Sequence, residues 1–163
     1  MHIFDKKLFT MKKLFIILVS LLVTASVYSQ TYKVNTFYAE LGGYVIKTDG
    51  THGVVVAMQD QGAANWWNAK VAVNDTRSYY VNGAKFNDWR LPTKDELKLI
   101  FLQEESIGSF SKNAGFRDNL YWTSTEGDND LVWVKGSKGD GYEGQLYSPK
   151  NLAMNSVRGV RNF

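Results

Sequence analysis

The 163-residue chain contains no cysteine. That excludes disulfides, thiol chemistry and a lipid anchor on an N-terminal cysteine. Histidine is almost as scarce: beyond residue 29 only His52 occurs. A transition-metal site draws on several Cys or His ligands, and a Ser-His-Asp triad needs a placed partner. His52 therefore reads as a surface-turn residue, and no tightly bound transition metal is expected. No twelve-residue EF-hand loop, repeat or low-complexity tract is present. Stability must come from packing, and all five Trp lie beyond residue 29 to supply it.

Long apolar runs are also missing, with one exception. Residues 14–23 (LFIILVSLLV) are apolar but shorter than the roughly 20 residues a membrane helix needs. Lys6, Lys7, Lys12 and Lys13 precede the run, and a small-residue zone (ASVYS, 25–29) follows it. This three-part pattern reads as a secretory signal peptide over residues 1–29, cleaved near Ser29 and Gln30. Export to the periplasm, the cell surface or the medium is expected, with no membrane span after cleavage. Met11 is followed by two Lys and opens a complete signal of its own, so Met1 and Met11 both stand as starts.

The leader holds four of the 19 basic and one of the 16 acidic residues, so fifteen of each remain. The net charge of +3 belongs to the leader. A neutral mature chain gives no support for nucleic-acid binding. Its length suits one core: a short N-terminal segment over 30–40, then a single domain over 41–163.

The patterning is mixed α+β. GYVIKT (43–48) and GVVVAM (53–58) flank Asp49-Gly50 and read as a hairpin. The unbroken apolar run VVVA (54–57) indicates a strand covered on both faces. Residues 66–73 suit a short helix with Trp66, Ala69 and Val73 on one face. Residues 74–87 read as a loop. A second helix starts after Thr93, with Glu96 completing a capping box and Pro92 keeping Leu91 extended. Leu97, Ile100 and Phe101 should face the core, and Gly108 lies beyond the helix end. Residues 121–124 are strand-like. LVWVK (131–135), the turn GSKGDG and residues 142–147 read as a second hairpin. Residues 157–161 make a terminal strand, expected to pair with the first hairpin.

The order GGYVIKTDGTHGVVVA, DWRLPTKDEL (88–97), YWTSTE (121–126) and VRGVR (157–161) resembles the bacterial domain family of the Legionella collagen-like protein C-terminal domain. The resemblance runs from about residue 41 to 163. It implies a C-type-lectin-like fold, distantly akin to formylglycine-generating enzymes, and a theme of surface attachment, with sulfated-glycan binding in the namesake. Many members carry Cys in the final run where this chain has Gly159, so their disulfide does not carry over. The Cys or copper chemistry of the related enzymes does not carry over either. The Glu-Pro-Asn and Gln-Pro-Asp motifs of calcium-dependent sugar binders are absent.

Within the family-like motifs, Trp89, Arg90, Leu91, Pro92, Thr93, Glu96, Leu97, Trp122, Arg158 and Arg161 are expected to be structural. Trp89 and Trp122 should be core, and Arg90 should be paired. The oxygen-rich stretch 126–130 is a weak calcium candidate through Asp128, Asn129 and Asp130, its plainer reading being a solvated turn. Adjacent Trp66 and Trp67 cannot both face inward on a short helix, so one should be exposed. Trp67, Tyr79 and Tyr80 are the candidate ligand platform, with Lys70, Arg77 and Lys85 as a local basic cluster around it. The sequence thus points to an exported, non-enzymatic binding domain with a glycan or a surface partner as ligand. A polysaccharide-acting enzyme and a structural subunit of a surface assembly are the rivals.

Overall fold

Strands outnumber helices among the described residues, as the Val-, Ile- and Tyr-rich runs require. The computed structural model describes residues 30–104, 120–136, 146–151 and 154–163. Strand β1 (Phe37–Tyr38) pairs with β2 (Gly43–Thr48), which forms the first hairpin with β3 (Gly53–Ala57). In the turn, Asp49 accepts hydrogen bonds from the backbone N–H groups of His52 and Thr51, both at 2.8 Å. Those bonds hold its carboxyl at about 2. Residues 31–40 fall in the same compact unit as the residues that follow them. They supply β1, and the Tyr32 ring packs edge-on against Tyr38 and Phe163. Thr31–Phe163 form one compact unit.

The terminal strand β9 (Val160–Asn162) pairs with β3, which completes a four-stranded antiparallel sheet in the order β1-β2-β3-β9. The expected partner is therefore the observed one, but the strand is shorter than the expected 157–161. Val157 and Arg158 are buried ahead of it. Gly159 shows why no side chain fits at that point. A Cβ there would strike the hydroxyl of Tyr79 and sit 3.0 Å from a Val73 methyl.

A second sheet has the order β4-β8-β5-β6-β7. Its members are β4 (Ala63–Ala64), β5 (Leu120–Glu126), β6 (Leu131–Gly136), β7 (Leu146–Pro149) and β8 (Asn155–Ser156). Among the described residues only the β5–β8 pairing is parallel. β6 and β7 form the expected second hairpin. Most of its turn and residues 142–145 lie outside the described residues, as does Gly108.

Two α-helices lie wholly within the described residues. Helix α1 (Trp66–Ala72) is capped by Asn65, whose side chain accepts from the Asn68 N–H. Helix α2 (Lys94–Leu102) has the complete Thr93–Glu96 capping box. The 74–87 loop contains two short 3₁₀ turns, Thr76–Ser78 and Gly83–Lys85. Strands β2 and β3 separate two cores. Val45, Val55 and Ala57 face Trp66, Ala69, Val73, Trp89 and Trp122. Ile46 and Val56 face Leu97, Ile100, Phe101, Tyr121 and Trp133. The run 54–57 is thus covered on both faces, as its lack of alternation indicated.

Most of the motif residues are buried or held in pairs. Trp89 and Trp122 are buried, and their indole N–H groups donate to the carbonyls of Gly83 (2.9 Å) and Ala64 (2.7 Å). Leu91 is buried, and the Pro92 carbonyl accepts from the Ser124 N–H at 2.8 Å. Arg90 makes a bidentate pair with Glu96, both bonds 2.7 Å. Arg161 pairs with Asp88 at 2.7 Å and lies 3.8 Å above the Phe86 ring. Arg158, fully buried, pairs with Asp60 at 2.7 Å.

Acid should loosen this frame through Glu96. Burial pushes the Glu96 carboxyl up, but the bonds from Arg90 and from the Thr93 N–H outweigh it and leave a net downward shift. A depressed folded value means the contribution is complete above the unfolded value and fades as pH falls through the folded one. Stability measured by chemical denaturation should therefore decline as pH drops below about 4.5, the ordinary glutamate value. Glu96→Gln should be less stable at neutral pH and show a shallower acid decline. An identical acid profile in the variant would show that Glu96 does not contribute to it.

Candidate functional site

Helix α1 divides its two Trp between core and solvent. Trp66 is buried and donates its indole N–H to the Thr123 carbonyl at 2.8 Å. Trp67, next in sequence, is 51% exposed. Its orientation is still fixed: its N–H donates to Asn151 Oδ1 at 2.9 Å, and its ring meets Trp66 edge-on with centroids 4.9 Å apart. An exposed aromatic held at both ends is a preformed stacking surface.

Charges gather around this ring. Lys70, one turn further along α1, places its ammonium 3.4 Å from the Trp66 ring centre and 5.2 Å from that of Trp67. Lys150 approaches the same rings at 5.0 and 5.7 Å. Its ammonium donates to Glu126 Oε2 at 2.6 Å. Glu126 is half exposed. The Lys150 hydrogen bond and charge, with Lys70 behind them, hold its carboxyl below the usual glutamate range. Hydrogen bonds between backbones fix the frame: Trp66 N–H donates to the Lys150 carbonyl (3.0 Å), and Lys150 N–H to the Asp130 carbonyl (2.9 Å). One surface therefore offers an apolar ring face, a carboxylate, an amide and an ammonium. That set suits a ligand with both C–H faces and hydroxyl groups.

The six sequence-derived candidates separate on the structure. Trp67 and Lys70 come together. Tyr79 does not join them: it is buried, stacks on Trp89 at 4.7 Å and donates its hydroxyl to the Val73 carbonyl at 2.7 Å. Burial pushes its phenol well up. A residue stacked in the core offers no face to a ligand. Tyr80, its neighbour, is 41% exposed. Arg77 is exposed, but its guanidinium is bidentate to Asp75 at 2.9 and 2.8 Å. Asp75 thus offsets the Arg77 charge locally. Lys85 is exposed at the end of the second 3₁₀ turn.

Of the calcium candidates, Asp128 and the Asn129 carbonyl are held by other partners. Asp128 Oδ1 accepts from the N–H groups of Asp130 and Leu131, each at 3.0 Å, and so closes its own turn. The carbonyls of Asp128 and Asn129 are turned onto the Lys150 ammonium. Among the described residues, no group of three or more His, Cys, Asp or Glu side chains converges. The oxygen-rich stretch is a turn organised by lysine, which composition alone does not reveal.

Sequence reasoning missed Glu126, Lys150 and Asn151. Glu126 ends the YWTSTE run, and Lys150 lies 24 positions away. Their meeting depends on the β6–β7 register, which pairs Leu131 with Pro149. The chain matches no family model, and no curated protein matches it.

Proposed function

We propose that the mature chain is an exported, non-enzymatic, C-type-lectin-like binding domain. Its ligand is a glycan or a glycan-bearing surface partner, received on Trp67 with Lys70, Glu126 and Asn151 around it. The observation that carries this reading is the oriented, half-exposed Trp67 ring beside hydrogen-bonding side chains. Stacking supplies affinity for a sugar's C–H face, and the polar rim supplies direction.

Hydrogen bonds hold the carboxyl groups of Asp49, Asp75, Glu96 and Glu126 down, so none of these four is the protonated acid that a glycosidase needs. The ammonium of Lys70 favours a ligand carrying some negative charge, and affinity for such a ligand should fall with added salt.

A glycan-array screen of the mature chain tests the proposal. Selective binding to a set of related glycans is expected, weaker at high salt. Uniform absence of binding, joined to hydrolysis of any arrayed polymer, would replace it with the enzyme reading. Export is tested separately: intact-mass measurement on protein from the native host should show a chain beginning near Gln30. Full-length protein in the cytoplasm would contradict it.

A further inference from the structure

The most unusual buried group outside the arginine pairs is Lys150, whose side chain is only 5% exposed. Lysine is rarely buried, because removing an ammonium from water is costly unless oxygens replace the solvent. Here they do. Three acceptors surround Nζ: Glu126 Oε2 at 2.6 Å, the Asn129 carbonyl at 2.6 Å and the Asp128 carbonyl at 3.4 Å. An ammonium has three protons to donate, and three oxygens receive them. One carboxylate and two backbone carbonyls from a short acidic loop are also oxygen donors of the kind a hard cation such as calcium takes, three of its six to eight, with water able to supply the others.

We propose that loop 126–130 is a cation-binding loop whose cation is the chain's own Lys150 ammonium. The lysine does the work a bound divalent ion would do: it draws the loop's carbonyls inward and neutralises Glu126. It also sets that carboxylate beside Trp66 and Trp67. The backbone of Lys150 holds it there through Trp66 and Asp130. Two consequences follow. Loop geometry in the natural protein is independent of calcium. Removing the ammonium while keeping the oxygens leaves a latent site for a hard divalent or trivalent cation. Lys150 is a positioning residue for the Trp67 surface, and the inference stands whether or not that surface receives a glycan.

Terbium, an oxygen-seeking stand-in for calcium, supplies the test. Its luminescence rises when a nearby tryptophan transfers energy to it, and two indoles lie within 6 Å of the Lys150 ammonium. The wild-type chain should give no saturable terbium emission on excitation of tryptophan. Lys150→Ala should gain it, and calcium should compete it away. Adding Glu126→Gln to Lys150→Ala should remove the gain, and Lys150→Arg should show none. A folded Lys150→Ala that gains nothing would overturn the proposal. So would a wild-type chain that binds terbium at this loop as well as the variant does. If Lys150→Ala does not fold, refolding with calcium or with sodium alone decides: recovery only with calcium supports the proposal, and recovery with neither refutes it. Metal uptake is read without any glycan, so failure here is distinct from failure of the binding function.

Discussion

Asp60→Ala is expected to lower the unfolding free energy by about 3–5 kcal/mol, the usual effect of breaking a buried ion pair from one side. Arg158 is fully buried, and Asp60 Oδ1 receives its Nε–H at 2.7 Å. The other oxygen, Oδ2, receives the Tyr121 hydroxyl at 2.9 Å. Asp60 thus ties the segment leading into β9 to a strand of the second sheet. Truncation removes the carboxylate that the Arg158 guanidinium and the Tyr121 hydroxyl share. The loss is a large part of the 5–15 kcal/mol that a small domain typically has. Urea denaturation at neutral pH measures it. A change below about 1 kcal/mol would show that water enters and solvates Arg158, against its observed burial.

Leu97→Ala should cost about 2–5 kcal/mol, the range for truncating a buried leucine. Leu97 is completely buried on the inner face of α2, in the cluster with Ile46, Val56, Ile100 and Trp133. The spread in the expected cost reflects how far the neighbours close over the cavity. The large rings of Tyr121 and Trp133 in that cluster limit such closure, which favours the upper part of the range. A neutral Leu97→Ala in the same denaturation assay would mean that α2 presents a different face to β2.

How much of this was legible beforehand depended on the range of the interaction. Helix α2 was readable because its signals are local. Thr93, Glu96 and the spacing of Leu97, Ile100 and Phe101 all act within three turns. The hairpin of β2 and β3 was readable for the same reason, through Asp49-Gly50 and the flanking β-branched runs. The two-faced burial of residues 54–57 also followed from an unbroken apolar run. The structure is α+β, with helices on mainly antiparallel sheets, as the patterning indicated.

The site was only partly legible, because its polar half is built by strand register. Adjacent Trp66 and Trp67 announced that one ring must be exposed, and it is Trp67. Tyr79 carried no such signal. Whether it faces the core or solvent is decided by the gap at Gly159, which its hydroxyl group fills from eighty positions away in sequence. The charge of Arg77 is visible in sequence, while its bidentate pair with Asp75 is a matter of turn geometry. Nothing local marks Lys150, and only the β6–β7 pairing brings it against the 126–130 loop.

The central claim is that Trp67 is the contact surface, and one comparison tests it most directly. A glycan selected from the array is titrated calorimetrically into wild type, Trp67→Ala and Arg77→Ala, all confirmed as folded. Trp67 is half exposed, so its truncation should leave stability nearly intact. It should weaken binding by roughly 30-fold or more, the effect of losing an aromatic hot spot worth about 2 kcal/mol. Arg77→Ala should bind as wild type does, since that guanidinium is already held by Asp75. Wild-type affinity in Trp67→Ala, or a loss confined to Arg77→Ala, would contradict the assignment of this surface.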